Sequence, residues 1–207
     1  MAQKKSIENI SLHGGWLCLD FINTVHDWTV DQPYDYLSSY EAVLKWSKRL
    51  KVLPEDDINA LREKYEQDRE AGEQVLDQMN KARKVLHELF LVVIRNSPIA
   101  EDIKKQFNKL LGSALSNLQI MVDGSILPQE YWDGMDLEKP LYPVMKSAYD
   151  LLMSDRLSRV KECGACGWLF LDKSKNNSRR WCDMQACGST VKAKRYYRKK
   201  KEMDKEL

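Results

Sequence analysis

The sequence predicts a mainly α-helical body with a small β-hairpin, followed by a compact C-terminal module of knuckle, hairpin and helix. Three observations predict it. Apolar residues recur at helical spacing through much of residues 40–152. Four of the five cysteines fall within residues 163–187. Charge is lopsided: residues 158–201 hold 13 Lys or Arg against 3 Asp or Glu, a balance of +10 that leaves −8 for the rest of a chain of net charge +2. With 207 residues, 43% hydrophobic and 31% charged, the chain can bury one sizeable core and carry an appendage.

The elements follow in order. In "GGWLCLDFINTVHDW", residues 14–28, Asp20, Asn23, Thr24 and Asp27 interleave with Trp16, Leu17, Leu19, Phe21 and Ile22. Polar groups set into an apolar element need partners, as caps of neighbouring helices or in a ligand pocket formed by Asp20 and Asn23. Ser38-x-x-Glu41 is a capping-box pattern opening a helix with Tyr40, Val43, Leu44 and Leu50 on its apolar side. Pro54 and the acids at 55–57 start a second helix, and a longer one runs from about Glu73 to Arg95 through Val75, Met79, Ala82, Leu86, Leu89 and Val93. Ser97-Pro98 reads as a cap and first-turn proline. Asp123-Gly124 separates two strand-like runs, a hairpin signal, and residues 140–152 return to helix.

No run approaches the roughly 18 apolar residues that span a bilayer. "LFLVVI" at 89–94 is flanked by Glu88 and Arg95 and reads as buried helix. The start "MAQKKSIENI" has no apolar stretch or small-residue cleavage site, so a cytoplasmic location and no membrane partner are expected.

Cytosolic thiols stay reduced, so a cysteine cluster there points to metal or redox chemistry rather than disulfide staples. Cys163 and Cys166 form C-x2-C, fifteen residues intervene, and Cys182 and Cys187 form C-x4-C. That pairing is the pattern of a tetrahedral thiolate zinc site. A redox motif needs only one pair and a βαβ context that is missing. Gly164 and Gly167 permit the knuckle; "WLFLD", "KSKNNS" and "SRRWC" read as strand, turn and return strand; and the segment after Cys182 is helix-compatible. Knuckle, hairpin and helix make a treble-clef-like zinc finger. Four thiolates leave no open position, so one structural zinc per chain is expected and hydrolysis at the metal is not.

On a helix of about 100° per residue, Lys192, Arg195 and Lys199 form one stripe, and Lys194, Arg198 and Lys201 another. Arg179 and Arg180 precede them with planar, fork-shaped donors. Basic residues clustered beside a compact fold are the footprint of a nucleic-acid contact through phosphates. A zinc-scaffolded module docking on an acidic protein is the alternative. His13, His26 and His87 show no metal spacing, and no nucleophile, base and orienter can be assembled, so catalysis is not expected; an enzyme working from an N-terminal pocket is the more distant alternative.

Two stretches carry a family resemblance. "GGWLCLDFINT" resembles the L-D-F-x-N-T opening of the ABATE domain, and "CGACGWLFLDKSKNNSRRWC" with "CGST" is similar to the CGNR zinc finger that accompanies it. The resemblance implies a bacterial stress-response transcription regulator with a helical ABATE-like domain (residues 1–157) and a zinc finger (residues 158–207) that binds DNA; on our reading the helical domain senses a small molecule or mediates dimerisation. By position, the implied zinc ligands are Cys163, Cys166, Cys182 and Cys187, and Asp20, Asn23 and Thr24 belong to the N-terminal motif. On that functional reading, a small-molecule effector and a second copy of the chain are the further partners to expect. Ser189 and Thr190 stand where the family has the Asn and Arg of its name, which removes an arginine.

Overall fold

In chain order the elements are α1 (Leu17–Ile22), α2 (Tyr40–Leu50), α3 (Glu55–Gln67), α4 (Arg69–Ile94), α5 (Glu101–Ser116), β1 (Leu118–Met121), β2 (Gln129–Trp132), α6 (Leu141–Leu152), β3 (Val160–Glu162), β4 (Leu169–Leu171) and α7 (Ser189–Met203). The computed structural model describes residues 5–122, 124 and 127–203; the side chains of 199, 200, 202 and 203 lie outside the described part. A 3-10 turn, Asp155–Arg159, joins α6 to β3, and one π-type turn, Met184–Gly188, runs into α7. No described helix is long and apolar enough to cross a membrane.

Helix α4 is the axis of the body, packing against α1, α2, α3, α5 and β3. Its buried stripe includes Val75, Met79, Ala82, Leu86, Leu89 and Phe90, the three-and-four spacing that turns one face inward. It starts four residues before the expected Glu73, because Asp68 accepts from the Ala71 amide at 3.0 Å and a charged first turn needs no apolar periodicity. Two other starts also differ from the sequence reading. Ser39, not Ser38, caps α2 through the Ala42 amide at 3.2 Å. Helix α5 begins at Glu101 because Ser97 turns its hydroxyl back to the Arg95 carbonyl instead of capping forward.

The expected hairpin forms between β1 and β2, antiparallel with Leu118 opposite Trp132 and Met121 opposite Gln129. Its second strand lies further along the chain than the apolar run after Gly124, and Asp123 lies outside the described residues. In the C-terminal module the hairpin differs in kind. β4 pairs with β3, Val160 opposite Leu171 and Glu162 opposite Leu169, so the knuckle itself is the hairpin turn. "SRRWC" forms no strand: β3 takes one edge of β4, the Asn23 side chain and the Gly14 carbonyl take the other, and Asp172, Lys161 and the Gly164 amide hold the segment instead.

The core does not stop at residue 157. Leu169 and Phe170 are fully buried in the same cluster as Leu19, Phe21, Val144 and Met145. Hydrogen bonds cross from the module to the first helix region: Leu171 N–H to Gly14 O at 2.8 Å, Trp28 N–H to Cys166 O at 2.9 Å, and the Trp168 indole to Val25 O at 2.7 Å.

Candidate metal centre and nucleic-acid surface

The knuckle folds because the Cys163 amide donates to Trp168 O (2.7 Å) and the Gly167 amide to Cys163 O (3.0 Å). Gly167 sits at φ +71°, and a Cβ there would lie 2.8 Å from that of Trp28. Only glycine meets both demands. The second cysteine pair is set by the π-type turn, where Asp183 accepts from the amides of Gln185 and Ala186 at 2.6 and 2.8 Å.

These two turns bring all four expected ligands together. The sulfurs of Cys163, Cys166, Cys182 and Cys187 lie within 4.8 Å of one another, and Cys166–Cys182, Cys182–Cys187 and Cys166–Cys187 are each 3.7 Å apart. A tetrahedral ion with bonds of roughly 2.3 Å requires sulfur–sulfur edges of about 3.8 Å. The donor set and its spacing therefore fit one zinc ion. Shared thiol hydrogen bonds hold Cys163 below the usual thiol range and push Cys166 and Cys182 above it, while burial raises Cys187. A metal must displace those protons, so retention weakens as pH falls.

A residue the sequence reading passed over organises the rest of the finger. Asp172, fully buried, accepts from the amides of Ser174 and Arg179 (both 2.8 Å) and from the Lys161 ammonium (2.9 Å). Burial opposes its ionisation, but these donors outweigh it and hold the carboxyl below the usual range. Its place after a strand and before "KSKNN" was the available signal, an Asx-type turn former. Arg179 also turns inward. Its guanidinium donates to Cys182 O and lies 5.0 Å over the Phe170 ring, so it braces the second cysteine pair. Arg180 is exposed, stacked on Trp181 at 5.6 Å.

The N-terminal motif grips this finger. Asn23, 1% exposed, donates to Leu169 O at 2.8 Å and accepts from Leu169 N–H at 3.0 Å, doing for β4 what a neighbouring strand would do. Thr24 donates to Phe21 O at 2.6 Å and accepts from Arg83 at 2.7 Å; Arg83, buried, also pairs with Asp35. His87 stacks on Trp28 at 4.0 Å and its Nε2 meets Gly167 O at 3.2 Å, a contact that sequence spacing could not reveal. Asp20 accepts from the Gly14 amide at 2.8 Å. Neither Asp20, Asn23 nor Thr24 lines the two clefts described for this chain, and their polar atoms serve these internal bonds.

Burial pushes Asp20 up to about 6, against the pull of the Gly14 amide and of His13, Lys173 and Arg49. The sign follows directly: the folded chain holds this proton more tightly than the unfolded one, whose pKa is near ~3.9, so the contribution is most favourable below pH ~4 and is lost as pH rises to about 6. Asp20→Asn keeps the acceptor for Gly14 and cannot ionise. Relative to the parent it should gain on the order of 2 kcal/mol between pH ~4 and ~6.5 and stay level above that. Urea midpoints across this range check it; a difference that does not change with pH would mean that Asp20 titrates normally.

Helix α7 leaves the finger with Lys192, Lys194, Arg195, Arg198 and Lys201 exposed, and with Tyr196 and Tyr197 at 66% and 70% exposure. The Lys199 side chain lies outside the described residues. Thr190, in the place of the family's arginine, donates to Ala186 O at 2.9 Å and ties α7 to the π-type turn.

Residues 159–200 match the CGNR zinc finger, and residues 15–155 match the ABATE family, whose description is "Putative stress-induced transcription regulator". No curated protein matches the chain. With the match covering well over half of its length, from the Asn23-bearing motif to the end of α6, the chain belongs to the ABATE family and carries a CGNR zinc finger at its C-terminal side.

Proposed function

We propose that this chain is a DNA-binding transcription regulator in which α7 lies along the phosphate backbone and the ABATE region senses an effector or pairs with a second copy. The observation that carries the reading is the outer surface of α7, where four exposed cationic side chains within residues 192–198 flank two exposed tyrosines. Phosphate contacts need long cationic side chains at the surface, and tyrosine hydroxyls add donors that bind the same oxygens. Arg180 is a further exposed cation of the finger, whereas Arg179 is held by the Cys182 carbonyl.

Each phosphate contact releases condensed counterions, so the logarithm of duplex affinity should fall with the logarithm of salt by about 0.9 per contact. Changing Lys192 and Arg195 together to Ala should lower that slope by about 1.8 and weaken all sequences alike, leaving sequence preference unchanged. Fluorescence anisotropy of labelled duplexes over a salt series measures this. If the zinc-loaded chain binds no duplex at low salt, the reading fails and α7 is better read as a dock for an acidic protein.

A further inference from the structure

The metal centre is not sealed. A cleft of about 360 Å³ opens between the N-terminal segment and the finger, and Cys166, Cys182 and Cys187 line it while Cys163 does not. Within that trio exposure divides again, since Cys182 is 2% exposed whereas Cys166 and Cys187 are half-buried. The cleft is thus most open at Cys187, with Cys166 of the other ligand pair lining it beside Cys187. His26, Thr190 and Lys194 line it as well, polar groups able to hold a small oxygen species against the sulfurs. A water molecule occupies roughly 30 Å³, so a peroxide fits with room to spare.

We propose that Cys166 and Cys187 form an oxidation site, at which a peroxide entering the cleft joins them in a disulfide and the metal is lost. This rests on the zinc reading of the four cysteines. Attack of one thiolate on hydrogen peroxide breaks the O–O bond, leaves a sulfenic acid and releases hydroxide. The second thiolate displaces hydroxide from that sulfur and the S–S bond forms. In all, two thiolates, one peroxide and two protons become one disulfide and two waters. The two sulfurs start 3.7 Å apart and a disulfide needs about 2.05 Å, so a shift of under about 2 Å suffices. With two thiolates consumed, Cys163 and Cys182 remain as a pair that cannot fill a tetrahedral site. The new bond ties the knuckle to the turn that starts α7 and changes how that helix is presented.

The test uses the full chain, its zinc content measured first; a chain purified without zinc overturns both this proposal and the zinc reading beneath it. Millimolar hydrogen peroxide is then added, zinc release is followed with a chromogenic chelator, and thiols are trapped by alkylation for mass spectrometry. The expected result is zinc release in step with a Cys166–Cys187 disulfide, with Cys163 and Cys182 still alkylated. Ala165→Phe places a ring at the cleft lining and leaves all four cysteines in the sequence. In that variant, zinc-loaded as purified, release should slow by about tenfold or more, as expected where access limits attack. Zinc that stays bound under peroxide, a first disulfide that includes Cys163 or Cys182, or an unchanged rate in zinc-loaded Ala165→Phe overturns the oxidation site and leaves the zinc reading intact.

Discussion

Asn23→Ala should destabilise the fold by about 2–6 kcal/mol, because it strips both partners from the buried Leu169 amide and carbonyl at once. Each buried backbone group left unpaired costs about 1–3 kcal/mol, and typical domains have only about 5–15 kcal/mol in hand. The partner strand cannot compensate, since β3 bonds the opposite edge of β4. Asn23→Asp should be nearly as severe: it keeps an acceptor for the Leu169 amide but loses the donor and places a charge in the core. Urea unfolding gives the value directly. A change below about 1 kcal/mol would show that the bridge contributes little and would reopen a ligand-binding role for this asparagine, in which stability barely moves but ligand stabilisation disappears.

Removing the metal, by chelation or by Cys182→Ser, should lower the melting temperature by roughly 10 °C or more and erase the helical signal of α7. Structural zinc contributes about 10–16 kcal/mol to the folding of small finger peptides. Here the loss is smaller, because Asn23, Trp28 and His87 hold the knuckle and β4 by contacts that need no ion. Helix α7 packs chiefly on the π-type turn that carries Cys187, so its order follows the metal. The shape of the melt is as informative as its midpoint. One transition is expected, since Leu169 and Phe170 belong to the core that holds Phe21 and Met145. Two separate transitions would instead indicate independent units at 1–157 and 158–207.

The parts of this design that were legible in the sequence are those encoded by spacing. C-x2-C and C-x4-C are local patterns, and the geometry they demand follows from the chemistry of the ion, so all four ligands could be named. The apolar stripe of α4 was readable for the same reason. What stayed hidden depends on which distant group a side chain meets. Asn23 stood out as a polar residue in an apolar run, yet nothing near it points to Leu169. Arg179 looked like its neighbour Arg180, and only the return of the chain toward Cys182 separates a brace from an exposed cation. The return strand fails because pattern alone cannot say that β3 and the N-terminal motif between them occupy both edges of β4.

The bridge from Asn23 to Leu169 spans 146 residues, which has a consequence for biosynthesis. At ~5–20 residues per second a ribosome needs roughly 7–30 s to deliver the second partner after the first. Throughout that interval α1 and the Trp28 loop lack the strand that covers them, so the nascent body waits with an open seam. Long-range pairing of this kind slows folding and leaves apolar surface for chaperones to shield. The cysteines arrive at the end of the wait, so metal capture and closure of the core become late, coupled steps. A product truncated before residue 169 would keep the seam open permanently, because Asn23 then has no Leu169 to bridge.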